Sequence, residues 1–349
     1  MKIQIGKDYL GEQQPCFIVA EMSGNHGGSI KKALEIVKAA KDAGADAVKL
    51  QTYTPDSITL NSPKDDFKIP GGNPWSEDKY LYNLYEKAQT PVEWHQEIFD
   101  YAKEIGITIF SSPFDFKAVE LLHSLNAPAY KLASPEITDI PLIKLIASKG
   151  KPVIISTGMS EEKDIELAVE TIRKTGNNQI IILKCTSSYP ALPESLNLRT
   201  IPDIAKRFNC LSGLSDHSMG IEAPVAAVVL GASFIEKHFV MDKTDNSVDA
   251  FFSLDQAEFK IMVQAVRTVE KMLGKISYEP TEDVGKNFWA RRSLYISQNV
   301  KAGETLTAEN VRSVRPSHGL HPKHYEEVLG KKAKKDLTLG DRLTWDVIS

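Results

Sequence analysis

The sequence predicts an α/β fold in which eight βα units close into a (β/α)8 TIM barrel, with a small second domain behind it. Two observations carry this. Eight short apolar runs recur over the first 238 residues, each ending in polar side chains, and stretches of helical periodicity separate most of them. After Gly274 that rhythm gives way to short strands and tight turns. Eight βα units close naturally into a barrel, and barrel enzymes keep their chemistry at the C-terminal ends of the strands.

In order, MKIQIGKDYLGEQQP reads as an opening strand or hairpin and lacks the apolar stretch of a signal peptide. FIVAE ends at Glu21, and the helix SIKKALEIVKAAKDAG starts from a cap at Ser29 and stops at Gly44. DAVKLQ carries Lys49 and Gln51. Residues 53–90, containing IPGGNPW, form a long insert, which after an early barrel strand lies over the active-site face. ITIFSS ends at Ser112, AYKLAS carries Lys131 and Ser134 with Glu136 just beyond, and PVIIST carries Ser156. The helix SEEKDIELAVETIRKTG opens on an acid-rich cap region and ends at Gly176. IIILKCTS then reaches Thr186 and Ser187, LSGLSDH reaches Ser215 and His217, and SFIEKH reaches Glu236 and His238. LDQAEFKIMVQAVRTVEKMLG is the last barrel helix, and KISYEPTEDVGKNFWARR reads as a linker. The expected boundary lies near residue 285, giving a barrel domain 1–284 and a second domain 285–349 whose KAGETLT and TLGDRLT look like hairpin corners.

Composition narrows the class. The chain has 42% hydrophobic and 25% charged residues, the mix of a soluble globular protein. No apolar run reaches the roughly 20 residues needed to span a bilayer. Cys16, Cys185 and Cys210 are too dispersed for a disulfide framework or a zinc site, so the cytoplasm is the expected compartment. Residues 290–349 hold eleven Lys and Arg against seven Asp and Glu. With the chain at −4 overall, that surplus leaves residues 1–289 at −8. The basic tail has no aromatic-interleaved patch or nucleic-acid reader motif. A cap over an anionic substrate, or docking onto an acidic domain, explains its charge more simply.

His217 and His238 end adjacent candidate strands, which lie about 4.8 Å apart in a barrel, so the two imidazoles could share a divalent ion. With two protein nitrogens and nearby carboxylates the ion would keep open positions, which suits Mn²⁺, Mg²⁺ or Co²⁺ better than structural zinc. Two ordinary hydrogen-bonded histidines are the plainer alternative. Lys49 and Lys131 could form a Schiff base, hold an anion as point charges, or be solvated rim lysines. Together with Ser112, Ser134, Ser156 and Ser215 they compose an anion cradle, which favours a phosphorylated acid over an aldolase. Glu21 and Glu136 could act as bases, bind sugar hydroxyls or pair with the lysines. Asp216 and Lys237 flank the histidines, and strand alternation turns them to the opposite face.

The segments AEMSGNHGGS, GADAVKLQTYTPDS, PAYKLASPEI, GKPVIISTGM, LKCTSSYP, GLSDHSMG and IEKHFVMDK together resemble the nonulosonic (sialic) acid synthase family over essentially the whole chain. VKAGETLTAENVRSVRPSHGLHPK and LGKKAKKD resemble that family's C-terminal antifreeze-like (SAF) domain. The resemblance implies a metal-dependent condensation of phosphoenolpyruvate with an N-acetylated amino sugar, with phosphate leaving by C–O cleavage. It implies that His217 and His238 hold the metal, Mn²⁺ foremost, and that Glu21 helps orient the attacking water. Lys49, Ser112, Lys131, Ser134, Ser156, Ser187 and Ser215 would hold phosphoenolpyruvate, while Gln51, Glu136, Tyr189 and Asp249 would face the sugar. It further implies a domain-swapped homodimer in which Arg315 reaches the sugar's acetamido group in the other subunit's barrel.

Within the family, QTYTPDSITLNS, LYNLYEKAQTPVEWHQEIF and RPSHGLHPKHY resemble the branch that makes pseudaminic acid from 2,4-diacetamido-2,4,6-trideoxy-L-altrose. N-acetylneuraminate synthases tend to have a GPDH-like stretch where this chain has residues 247–250, an Asn at the place of Ser187 and a His at that of Lys184. N-acetylmannosamine and the legionaminate precursor remain alternative sugars, and a non-catalytic carbohydrate-binding protein is the alternative of a different class. A 6-deoxy sugar asks for a more apolar pocket, for which Phe251 and Phe252 are the expected side chains.

Overall fold

The computed structural model of the chain describes residues 1–244 and 247–349. These divide into two compact units, Met1–Gly274 and Lys275–Ser349. In the first, an antiparallel hairpin of β1 (Lys2–Ile5) and β2 (Asp8–Gly11) precedes eight parallel strands. These are β3 (Phe17–Glu21), β4 (Ala47–Thr52), β5 (Thr108–Pro113), β6 (Tyr130–Leu132), β7 (Val153–Ser156), β8 (Ile180–Cys185), β9 (Leu211–Asp216) and β10 (Phe234–His238). They close in sequence order, with β10 pairing back onto β3. The predicted barrel is the observed one.

Alternation along each strand sorts the side chains. Phe17, Val19, Ala47, Phe110, Ala129, Ile154, Ile181, Leu183, Leu211 and Phe234 point inward and fill the lower barrel, where Ile3, Ile5 and Leu10 of the hairpin join them. The intervening residues, such as Ile18, Val48, Leu50, Tyr130, Ile155 and Ile235, point outward and pack on the helices. The first helix, Ile30–Asp42, is capped by Ser29 accepting from the Lys32 amide, and the last, Gln256–Leu273, by a reciprocal Asp255–Glu258 box. The helix Glu162–Lys174 starts from Glu161, boxed with Asp164.

The insert after β4 carries structure of its own: a short helix Pro55–Ile58, two 3-10 turns and the helix Leu81–Ala88. No helix among the described residues is long and apolar enough to cross a membrane. The second unit pairs β11 (Ser293–Ile296) with β12 (Val311–Val314) antiparallel. Its own core gathers Leu294, Ile296, Val300, Leu306, Val311, Val328, Leu337 and Leu343.

Candidate active site

The same alternation that fills the lower barrel with hydrocarbon puts polar groups at its upper end. A cavity of about 510 Å³ opens there, lined by Glu21, Lys49, Gln51, Ser112, Lys131, Ser134, Glu136, Ser156, Tyr189, Ser215, Glu236, His217, His238 and Asp249 among others. Glu21 lies opposite Lys49 on β3 and β4, Gln51 opposite Ser112 on β4 and β5, and His238 opposite Glu21 on β10 and β3.

The floor is a buried ionic lattice. Lys49 Nζ lies 2.6 Å from Glu21 Oε2 and 3.6 Å from Glu236 Oε1, while Lys131 Nζ lies 3.8 Å from Glu236 Oε1. Lys49 also donates to Ser112 Oγ at 3.2 Å, and Lys131 to Ser156 Oγ at 2.6 Å. Ser215 Oγ donates to Glu236 at 3.3 Å, and Gln51 Nε2 donates to Glu21 Oε1 at 3.0 Å. Burial lifts the Glu21 carboxyl above its ordinary value, more than Lys49 depresses it. Burial also acts on Glu236, but the two ammonium groups outweigh it and hold that carboxyl low. For Lys49 burial is likewise overcome, here by Glu21 and Glu236, so its ammonium stays charged; for Lys131 burial prevails and lowers it. Two cations with hydroxyls at hand, screened from water, form a receptor for a small polyanion.

Above the floor stand the two imidazoles, ring centroids 5.3 Å apart. His217 Nδ1 donates to the Thr186 carbonyl at 3.0 Å, which leaves Nε2 available to a ligand; burial lowers this imidazole, but Cys185 and the Thr186 carbonyl outweigh it and hold it above its ordinary value. Burial, then the His217 and lysine charges, keep His238 well below the usual histidine range and therefore neutral. Its Nδ1 is buried without a hydrogen bond, 3.7 Å from Asp249 Oδ2. Among the described residues no three His, Cys, Asp or Glu side chains converge on one ion position. A pair of imidazole nitrogens, one oriented by a carbonyl and one buried without a partner, nevertheless fits an open divalent site completed by water and substrate. Phe252 is fully buried and backs this pair, its ring 4.6 Å from His238 and 6.0 Å from His217.

Asp249 accepts from Ser23 Oγ at 2.5 Å, and its burial raises the carboxyl. Glu136, in the turn after β6, is lifted to about 7, chiefly by burial, and its Oε2 has no hydrogen-bond partner. Ser134 Oγ accepts from the Gly158 amide at 2.9 Å. The Tyr189 ring lies 4.4 Å from that of His217.

Three anticipated residues, Ser187, Phe251 and Phe252, do not line the cavity, and a fourth, Arg315, belongs to the second unit. Ser187 is absent from the cavity lining: it packs against Gly158, where an added Cβ would come within 2.1 Å of Ser187 Oγ. Arg315 follows β12 in the second unit and is exposed. Phe251 and Phe252 are likewise absent from the lining; Phe251 is exposed and Phe252 sits behind the histidines. Lys184 turns outward, bonded to the Cys185 carbonyl at 2.6 Å. Glu236, marked in the sequence only as a strand-end residue, and Ser23, not marked at all, both belong to the site. For Glu236 the signal was present: it is two residues from His238 on one strand and so shares its face. Asp216 and Lys237 face away as alternation required, joined at 2.5 Å in a fully buried ion pair.

The NeuB family matches residues 36–278, and a SAF domain matches residues 291–348. A pseudaminic acid synthase of Campylobacter jejuni is 51% identical over 341 residues, covering 98% of either chain. That of Helicobacter pylori is 44% identical over 337 residues, covering 96% of this chain and 98% of its own. The crystal structure of the Bacillus subtilis spore coat polysaccharide biosynthesis protein SpsE superposes with a TM-score of 0.69 at 34% identity, covering 100% of this chain and 99% of that one.

Proposed function

The chain belongs to the NeuB family and carries a SAF domain, and from that premise we propose that it condenses phosphoenolpyruvate with 2,4-diacetamido-2,4,6-trideoxy-L-altrose. The products are pseudaminic acid and inorganic phosphate. The observation that carries the reading is the pair of buried lysines beneath two histidines at the C-terminal rim, in a chain 51% identical over nearly its whole length to a pseudaminic acid synthase.

Lys49 and Lys131, with Ser112, Ser134, Ser156 and Ser215, hold the phosphate and carboxylate of phosphoenolpyruvate; the lysines act as point charges. Ser187 supports the Gly158 segment beside them. Gln51, Glu136, Tyr189 and Asp249 bind the open-chain sugar and turn its aldehyde carbon toward carbon 3 of the enol. A divalent ion held by His217 and His238, Mn²⁺ or else Mg²⁺ or Co²⁺, supplies Lewis-acid polarisation of the aldehyde. As the C–C bond forms, carbon 2 becomes electron-deficient and takes up water, whose proton Glu21 accepts and passes on to the former aldehyde oxygen, now the carbon 4 hydroxyl. The tetrahedral adduct then breaks its carbon 2–oxygen bond and releases phosphate. Arg315 serves the acetamido group in the barrel of the other subunit of a cytoplasmic homodimer, which gives the basic tail its task.

Phosphoenolpyruvate labelled with ¹⁸O at the bridging oxygen tests this chemistry. C–O cleavage carries the label into phosphate. Label retained in the nonulosonic acid would mean P–O cleavage and would overturn the mechanism.

A further inference from the structure

We propose that the insert helix Leu81–Ala88, together with Ile69 and Trp75, is the wall that selects the sugar, receiving its C6 methyl and so preferring a 6-deoxy substrate to the 6-hydroxy counterpart. This rests on the sugar-condensing reading above and names the part of the site that sets its choice. Leu81, Leu84, Tyr85 and Ala88 recur at i, i+3, i+4 and i+7, the period of one helix face, and all four line the cavity. Asn83, Glu86 and Lys87 lie on the exposed side. Leu84 is 8% exposed, yet Leu84, Ile69, Ala88 and Tyr53 belong to neither apolar core of the barrel unit. Their apolar face is turned to the cavity.

The wall is held at both ends. Tyr53 meets Tyr85 edge-on at 5.7 Å and Phe114 at 5.2 Å. Ala88 abuts Gly24, where an added Cβ would lie 3.1 Å from the Ala88 Cα. Trp75 Nε1 donates to the Val248 carbonyl at 2.9 Å and its ring meets that of Tyr189 at 5.2 Å. Asn73 Oδ1 accepts from the Trp75 amide at 3.1 Å. The Ile69 and Leu84 side chains offer a hydroxyl no polar atom, whereas a methyl fills the space against them.

The test compares kcat/KM for the 2,4-diacetamido-trideoxy sugar with that for its 6-hydroxy analogue. A hydrophobic pocket discriminates at this scale by about 10- to 100-fold, which is the preference expected of the wild type. Leu84→Asn and Ile69→Ser should cut that ratio at least about tenfold while leaving the KM for phosphoenolpyruvate within about twofold. Leu84→Met, which conserves volume and apolarity, should keep the ratio and so separates wall chemistry from helix integrity. An unchanged ratio in both polar variants overturns the inference. A wild type that prefers the 6-hydroxy sugar overturns it too. A wild type that turns over only the 6-deoxy D-manno isomer overturns the substrate assignment alone, and the same ratio measured on that sugar still decides the wall.

Discussion

Lys237 and Asp216 follow the barrel outward from the two histidines, and removing one of them should damage both stability and the site. Lys237→Met deletes the 2.5 Å contact to Asp216 Oδ2 and a short bond to the Ser218 carbonyl, both fully buried. Asp216 is left as a buried carboxylate that accepts from the Ser218 amide at 2.9 Å and Oγ at 2.7 Å. Breaking a buried pair in this way costs about 3–5 kcal/mol, because the surviving charge cannot recover its hydration. For a barrel of this size the loss corresponds to a fall in Tm of about 6–15 °C. Asp216→Leu/Lys237→Met removes both charges but leaves two Ser218 donors unpaired, a residual penalty of roughly 1–3 kcal/mol. The double variant should therefore melt above Lys237→Met. Because His217 follows Asp216 and His238 follows Lys237, Lys237→Met should also shift the two imidazoles and with them the affinity for a divalent ion. Calorimetry and equilibrium dialysis read the two effects. Strictly additive losses in the double variant, or a Lys237→Met protein that melts within 2 °C of wild type, roughly one kcal/mol or less, would refute the reasoning.

Other predictions follow from the site. Glu136, lifted to about 7 by burial against the opposing pull of Lys131, is protonated below that pH and anionic above. As a hydrogen-bond acceptor for the sugar it should make kcat/KM for the sugar rise through pH 7, and Glu136→Gln should flatten that limb in a pH–rate profile. Chelation should abolish phosphate release and Mn²⁺ restore it, while His238→Ala should need far more metal for half-saturation in a metal titration. Mixing Arg315→Ala with Glu21→Ala, each inactive alone, should regain part of the activity if the tail serves the neighbouring barrel; no recovery in the mixed preparation would rule that arrangement out.

The barrel was legible because two simple rules ran together through the sequence. Each run is short and apolar and ends in a side chain that hydrocarbon rejects, so the ends of the runs mark the rim. Alternation also sets Asp216 and Lys237 outside and Glu236, two residues from His238, inside. The selector of the sugar was harder to see. Phe251 and Phe252 stand next to Asp249 in sequence, but the 3-10 turn Ala250–Phe252 carries the second ring behind the histidines. The periodicity of LYNLYEKA was readable in the chain. What it could not reveal was whether that face meets a core or a cavity, since burial against protein and burial against substrate leave the same pattern.

The central claim is tested most directly by phosphate release from phosphoenolpyruvate with Mn²⁺ and one of three sugars. The sugars are 2,4-diacetamido-2,4,6-trideoxy-L-altrose, the corresponding D-mannose derivative and N-acetylmannosamine. Release with the first alone is the expected result. Release with either of the others alone would keep the chemistry and reassign the substrate, and release with none would contradict the account.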